Sequence, residues 1–243
     1  MQKQDTENKC YAVVLAAGSG TRMGSSTPKQ YLPLLGKPVL WYSLQAFEQS
    51  PLISECIVVT GQDDIAFVQE EIVQKGNFRK VTQVIAGGAE RYLSVEKALT
   101  VLQDKKGYVF IHDGARPLLT EEIIERLYRE VCRHDAVCAA VPVKDTIKIA
   151  DPEGFADRTP DRKTLYAVQT PQVFSIPLIC RAYEMLREQY DKGIGVSITD
   201  DAMVAEYMLG TKVKLVEGSY TNIKITTPED MEVAIAYLKA SFS

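Results

Sequence analysis

What this chain has little of narrows its chemistry first. It carries two histidines, His112 and His134, in 243 residues. A zinc site built on several histidines is therefore out of reach. Its five cysteines, Cys10, Cys56, Cys132, Cys138 and Cys180, are scattered, odd in number and form no Cys-x-x-Cys pair. That pattern fits no disulfide framework and points to a reducing, cytoplasmic setting. No apolar run approaches the length of a bilayer span, so no membrane partner is expected. The opening MQKQDTENK is polar, lacks the apolar centre of a signal peptide and reads as a frayed tail. Positive charge is not in excess either: the net charge is −4. That balance argues against nucleic acid as a partner, although local cations can still hold a small anion. The length suits one large α/β domain over 1–243, and two full-sized domains would be a squeeze.

Against these gaps, one stretch stands out. Residues 11–31 read YAVVLAAGSGTRMGSSTPKQY. An apolar, β-prone run stops at small residues and then at Gly18, Gly20 and Gly24. This predicts a buried strand emptying into a glycine-rich loop at a sheet edge. Glycine there lets main-chain N–H groups come close to an anion. Arg22 inside the loop and Lys29 beyond it add a forked and a point-like positive charge. The glycines run Gly-x-Gly-x-x-x-Gly, one residue too long for the dinucleotide fingerprint. No Gly-Lys-Ser/Thr follows, which excludes the ATPase-type P-loop. What is left is an ordinary tight turn or a backbone cradle with two cations, suited to a nucleoside triphosphate.

The rest of the chain alternates. Apolar strands are predicted at 56–60, 81–85, 108–112 and 136–143. Helices are predicted at 39–49 behind Pro38, from a cap at Asp63, from Tyr92 to Leu102, and after Thr120. Further helices are expected at 176–189, at 200–208 with Thr199 as N-cap, and behind Thr227-Pro228. Strands are expected between them at 212–217 and 223–226. The alternation predicts an α/β fold with a doubly wound, mostly parallel, Rossmann-like sheet. In such sheets ligands bind beyond the carboxyl ends of the strands. The unusual sequences AAGSGTRMG, GGAER and HDGARP do follow strands.

The rhythm breaks over 143–174. VKDTIKIA alternates, DPEGFADRTPDR is polar and turn-rich, and KTLYAVQT alternates again. This predicts a protruding β-hairpin arm. An arm of that kind has little core of its own, so it is expected to pack on a second copy in a homodimer.

The quoted motifs, with PKQYL after the first loop, resemble the 2-C-methyl-D-erythritol 4-phosphate cytidylyltransferase family of the non-mevalonate isoprenoid pathway. The resemblance implies transfer of CMP from CTP to the polyol phosphate, with release of pyrophosphate. It implies catalytic roles for Arg22, Lys29 and Lys224, and nucleotide contacts from Ala16, Ala17, Gly18, Gly20, Gly87, Gly88, Arg91, Ser94 and Asp113. It places the acceptor near Asp113, Arg116, Thr146, Arg162, Thr170, Thr199 and Lys224, with Thr146 and Arg162 reaching across the dimer. Asp113 is the candidate Mg2+ ligand. The chain departs from many relatives at Ala89, where they carry Asp.

The residue types agree with such chemistry. A phosphate monoester is already an anion at neutral pH, so the shortage of histidine is no obstacle. The barrier is one of positioning and accumulated charge. His112 is read as orienting its loop, His134 as a surface residue, and Asp200 and Asp201 as helix-start acids rather than metal ligands. Three rivals remain: ribitol-5-phosphate cytidylyl transfer, uridylyl or adenylyl transfer to a sugar phosphate, and a nucleotide-binding regulator without catalysis.

Overall fold

The computed structural model of the chain describes residues 9–18 and 27–241. Strand β1 (Cys10–Ala16) is apolar or aromatic throughout. Side chains alternate across a strand, and β1 buries both sets. Ala12, Val14 and Ala16 enter one core cluster, while Tyr11 and Val13 enter another. A strand apolar on both faces belongs inside a sheet covered on both sides. Beyond it, β2 (Pro33–Leu34) and β3 (Lys37–Pro38) form a small antiparallel ladder. Helix α1 (Val39–Gln49) begins directly behind Pro38, whose fixed φ suits that place. Strand β4 (Ile53–Thr60) then pairs in parallel with β1.

The helix expected from Asp63 is built differently. Gln62–Asp64 is a tight 3-10 turn, α2 spans Ile65–Phe67, and Val68–Gln74 is wound as a π-helix. Asp63 therefore lies inside the turn and caps nothing. Val68, Ile72 and Val73 are still the buried face. Strand β5 (Val81–Ala86), helix α3 (Arg91–Leu102), strand β6 (Tyr108–Asp113), helix α4 (Glu121–His134) and strand β7 (Ala136–Pro142) continue the alternation. After β8 (Ile149–Ala150) and β9 (Ala156–Arg158) come β10 (Tyr166–Ser175), α5 (Ile176–Asp191), α6 (Asp201–Leu209), β11 (Lys214–Glu217) and α7 (Pro228–Ser241).

Seven strands form the main sheet in the order β11-β7-β10-β6-β1-β4-β5. Among the described residues, β10 alone runs against its neighbours there. One core cluster packs α1, α4 and the 68–74 helix on one face; another packs α3, α5 and α6 on the other. Helix α7 joins Leu34 and Val39 in a third, smaller cluster. The chain winds outward from β1 through β4 to β5, then returns to β6 on the other side of β1. That reversal opens a crevice at the carboxyl ends of β1 and β6.

Three further expectations need correction. The N-cap of α6 is Asp200, whose carboxylate accepts from Met203 N, and not Thr199. Thr199 donates to the Met203 sulfur instead. Residues 223–226 form no strand: Ile225 is buried and its N–H bonds Ala115 O, but the facing backbone is a loop, so no ladder develops. The 143–174 segment does not leave the sheet along its whole length. Gln172–Ser175 pair with β6 and Tyr166–Val168 with β7, so only about 143–165 stands outside, with β8 paired to β9. Alternating residues read alike in an exposed hairpin and in a strand with one polar face.

Candidate active site

The loops after β1, β5 and β6 meet at one edge of the sheet. Gly114 N donates to Leu15 O at 2.8 Å, which ties the end of β6 to that of β1. Gly87 N donates to Thr60 O at 2.7 Å, folding the β5 loop over the end of β4. A Cβ on Gly87 would meet Ala17 Cβ at 2.6 Å, so glycine is required for that approach. Gly88 N in turn donates to Ser94 Oγ at 3.0 Å.

The loops enclose a cavity of about 350 Å³. Ala17, Gly18 and Lys29 line one side, and Gly88, Arg91 and Ser94 the other. Ala89 lies on its wall and offers no polar group where many relatives carry a carboxylate. A second cavity of about 240 Å³ is lined by Arg116, Thr170 and Thr199. Arg91, Asp113 and Lys224 line both. The two compartments thus share a charged wall.

That wall is closely bonded. Asp113 Oδ1 accepts from Arg91 Nε at 3.2 Å, and Asp113 Oδ2 meets Lys224 Nζ at 2.8 Å. Arg91 also donates from both terminal nitrogens to Asp201, at 3.0 and 2.8 Å. Burial alone would raise the Asp113 pKa, but the Arg91 and Lys224 charges outweigh it and hold the carboxyl well below its usual range. For Arg91 the Asp201 and Asp113 charges overcome burial and raise the pKa.

His112 sits behind the wall, fully buried. Its Nε2 faces Arg116 O at 3.3 Å, and a carbonyl can only accept. Thr170 Oγ1 accepts from Asp113 N at 3.0 Å and lies 3.1 Å from His112 Nδ1. Burial lowers the His112 pKa to about 4, which favours the neutral ring near pH 7; its Nε2–H then donates to Arg116 O and Nδ1 accepts from Thr170. The ring orients the 112–116 turn. Arg116 donates to Asn222 O at 2.8 Å. Among the described residues its Nε is buried with no hydrogen-bond partner. Burial lowers the Arg116 pKa from its ordinary value.

Of the residues singled out from the sequence, the geometry gathers Ala17, Gly18, Lys29, Gly88, Arg91, Ser94, Asp113, Arg116, Thr170, Thr199 and Lys224 around the two cavities. Gly87 supports them from below, and Ala16 ends β1 beside them. Gly20 and Arg22 lie outside the described residues. Thr146 and Arg162 are exposed and line neither cavity. Arg162 bonds back to Lys144 O at 2.9 Å.

Three residues escaped the sequence reading, and so did the burial of a fourth. Gln30 is buried and donates to Ala16 O and Gly18 O, holding the start of the glycine loop. Gln172 bonds both Asp200 and Ala202 N, and Asn222 bonds Thr170 O. Asp201, read as a helix-start acid, does lie in the first turn of α6, but it is also fully buried. A signal existed for it: Asp201, Val204, Ala205 and Met208 fall at i, i+3, i+4 and i+7, the buried stripe of α6.

For a divalent ion the described residues offer the Asp113 carboxylate, whose two oxygens already meet Arg91 and Lys224. Among the described residues no group of three or more His, Cys, Asp or Glu side chains forms a cage. Magnesium commonly takes one or two carboxylates, the rest of its shell coming from substrate phosphates and water. Asp113 supplies one such carboxylate on the cavity wall.

Known proteins resemble the chain closely. The family model IspD, 2-C-methyl-D-erythritol 4-phosphate cytidylyltransferase, matches residues 10–240. A protein of that name from Lachnospira eligens is 52% identical over 228 residues, 94% of this chain and 98% of that protein. One from Lachnoclostridium phytofermentans is 50% identical over 95% of this chain and 97% of its own length. The solved 4-diphosphocytidyl-2C-methyl-D-erythritol synthase from Anaerococcus prevotii superposes with a TM-score of 0.82 at 34% identity, covering 96% of this chain and 97% of that one. The chain belongs to the 2-C-methyl-D-erythritol 4-phosphate cytidylyltransferase family.

Proposed function

We propose that this chain transfers CMP from CTP to 2-C-methyl-D-erythritol 4-phosphate, giving 4-diphosphocytidyl-2-C-methyl-D-erythritol and pyrophosphate. The observation that carries the reading, beside the family, is the pair of cavities sharing Arg91, Asp113 and Lys224. Gly18, Lys29, Gly88 and Ser94 suit a nucleotide on one side; Arg116, Thr170 and Thr199 suit a phosphorylated polyol on the other. Family membership favours methylerythritol phosphate over ribitol phosphate.

In the reaction an acceptor phosphate oxygen forms a bond to the α-phosphorus. The bond from that phosphorus to the bridging oxygen breaks, and its electron pair leaves with pyrophosphate. No proton has to move. The residues act by position and charge. Lys29, with Arg22 from the same loop, holds the triphosphate. Lys224 stands where the two compartments meet and offsets the charge gathered there. Arg116 lines the acceptor compartment and offers its guanidinium charge to an acceptor oxygen there. Mg2+, held by Asp113 with the phosphates of CTP, would neutralise charge on the leaving group.

Homodimer formation belongs to the same proposal, with 143–165 as an arm on a single nucleotidyltransferase unit. Its support is the exposed Ile147 and Phe155 on the arm, with exposed Tyr166 and Val168 on β10 just after it, apolar side chains of the kind that mark contact surfaces. Thr146 and Arg162 point to the same arrangement, since they serve neither cavity of their own chain. A cytoplasmic site of action is consistent with the buried thiols of Cys56 and Cys138, which form no disulfide. Among the described residues no helix is long and apolar enough to cross a membrane.

Pyrophosphate release, measured with CTP and Mg2+ against methylerythritol 4-phosphate and ribitol 5-phosphate, tests the central claim. Turnover is expected with the first acceptor. Turnover with ribitol 5-phosphate alone, or with UTP or ATP in preference to CTP, would displace the reading.

A further inference from the structure

Asp201 is completely buried, and the reaction as read above gives it no part. It does not cap its helix. Asp200 Oδ1 accepts from Met203 N at 2.9 Å, and Gln172 Oε1 accepts from Ala202 N at 2.9 Å. The other end of the Gln172 amide donates to Asp200 Oδ2 at 2.9 Å. The start of α6 is thus bonded without the Asp201 side chain.

That side chain turns inward instead. Its Oδ1 accepts from Tyr183 Oη at 2.6 Å and from Arg91 Nη1 at 3.0 Å, and its Oδ2 accepts from Arg91 Nη2 at 2.8 Å. A buried ion pair is a poor source of stability, because desolvation offsets much of the attraction. What a two-point pair supplies is a fixed orientation of the guanidinium plane. With both terminal nitrogens on Asp201, Arg91 presents Nε to Asp113 Oδ1. The remaining Asp113 oxygen is left to Lys224. Tyr183, Asp201, Arg91, Asp113 and Lys224 form one continuous chain of contacts from the core to the meeting point of the two cavities.

We propose that Asp201 is a positioning residue for nucleotidyl transfer, acting through Arg91 to fix Asp113 and Lys224 between the two cavities. The proposal rests on the cytidylyl-transfer reading. It predicts a loss in turnover rather than in nucleotide binding, since Asp201 touches neither cavity.

The test compares the full chain with Asp201→Asn, Arg91→Met and the double variant. Asparagine keeps the shape but removes the charge and turns one acceptor into a donor facing Arg91 and Tyr183. Asp201→Asn is expected to lower kcat by about tenfold or more, with the KM for CTP within about threefold and melting curves reporting a folded protein. In the Arg91→Met background the same change is expected to cost less than about twofold, because no guanidinium is left to orient. Turnover of Asp201→Asn within about twofold of the parent per folded molecule would overturn the proposal, as would losses that simply multiply in the double variant. Multiplying losses are what a merely structural role produces. Should Asp201→Asn fail to fold, Tyr183→Phe carries the test: a severalfold loss that persists in the Arg91→Met background refutes it. A parent chain that releases no pyrophosphate from CTP and the polyol phosphate would instead refute the functional reading, so the two failures are distinct.

Discussion

At the carboxyl edge of the sheet, Asp113 gives each oxygen to a different cation, and the backbone behind it is bonded to Thr170. In the 143–165 excursion, Phe155 stands 70% exposed, and β8 pairs with β9 through two residue pairs. The first region completes its contacts within one chain. The second leaves apolar surface that none of the described residues covers. A wall that meets its own needs can be pre-organised for charge-shifting chemistry before substrate arrives. A ribbon that does not has little independent stability and becomes useful when something else closes on it. The expected outcomes below fall in that order, from the wall outward.

The largest effect is expected at Lys224. Its ammonium lies 2.8 Å from Asp113 and lines both cavities. Lys224→Met removes a cation shared by the two cavities and leaves the Asp113 carboxylate paired with Arg91. Turnover should fall by about 100- to 1,000-fold, the size of effect seen when one preorganised donor is lost from a charged transition state. Pyrophosphate release at saturating CTP and acceptor measures it. If the wall is complete within one chain, the loss will not depend on protein concentration. A near-normal rate would remove Lys224 from the chemistry and leave Lys29 and Arg22 to carry it.

The wall also makes a prediction about pH, through His112. The imidazole is held neutral in the folded chain, its pKa lowered by burial from 6.5 to about 4. In the unfolded chain it takes up a proton near 6.5. The native state resists that proton, so its advantage is fully present above 6.5 and is lost as pH falls toward 4. The shift corresponds to roughly 3 kcal/mol at most. Asp113 acts in the same direction at lower pH: its carboxyl is depressed, so the stability it contributes is lost as it becomes protonated. Denaturant titrations at several pH values between 7 and 4 measure the slope. His112→Gln is expected to flatten it, and an unchanged slope would mean that other groups carry the acid sensitivity.

The wall and the arm also differ in how far they can be read from residues. Strand β1 and the loops after β1, β5 and β6 were legible because apolar runs ending in glycine carry a local signal. Arg91 and Asp113 were legible as site residues, but their mutual pairing was not, since they lie 22 positions apart and meet only through the sheet. Asp201 was missed because an acid in the first turn of a helix has a sufficient local explanation. Its place on the apolar stripe of α6 was the contrary sign. The arm was overdrawn for a related reason. Gln169, Thr170 and Gln172 are buried polar residues on β10 that bond Ser219, His112 and Asp200, so their polar character reads like that of an exposed hairpin. Local pattern reveals which residues share a face of a strand. It does not reveal whether that face meets water or a set of hydrogen-bond partners from distant segments.

The smallest effect on the folded chain is expected at the arm, and its smallness is the point. Phe155 is largely exposed among the described residues, so Phe155→Ser should change the stability of an isolated protomer by less than about 0.5 kcal/mol. Its effect should appear in assembly instead. If the arm closes on a second copy, the parent chain sediments with the mass of two chains at micromolar concentration, and the variant shifts toward the mass of one. Turnover of the variant should then rise with protein concentration, because Thr146 and Arg162 would reach the acceptor only from a partner. A parent chain of one-chain mass would leave Phe155 without a partner copy. A variant that loses several kcal/mol as a monomer would break the comparison from the other side, because the arm would then be part of the core after all.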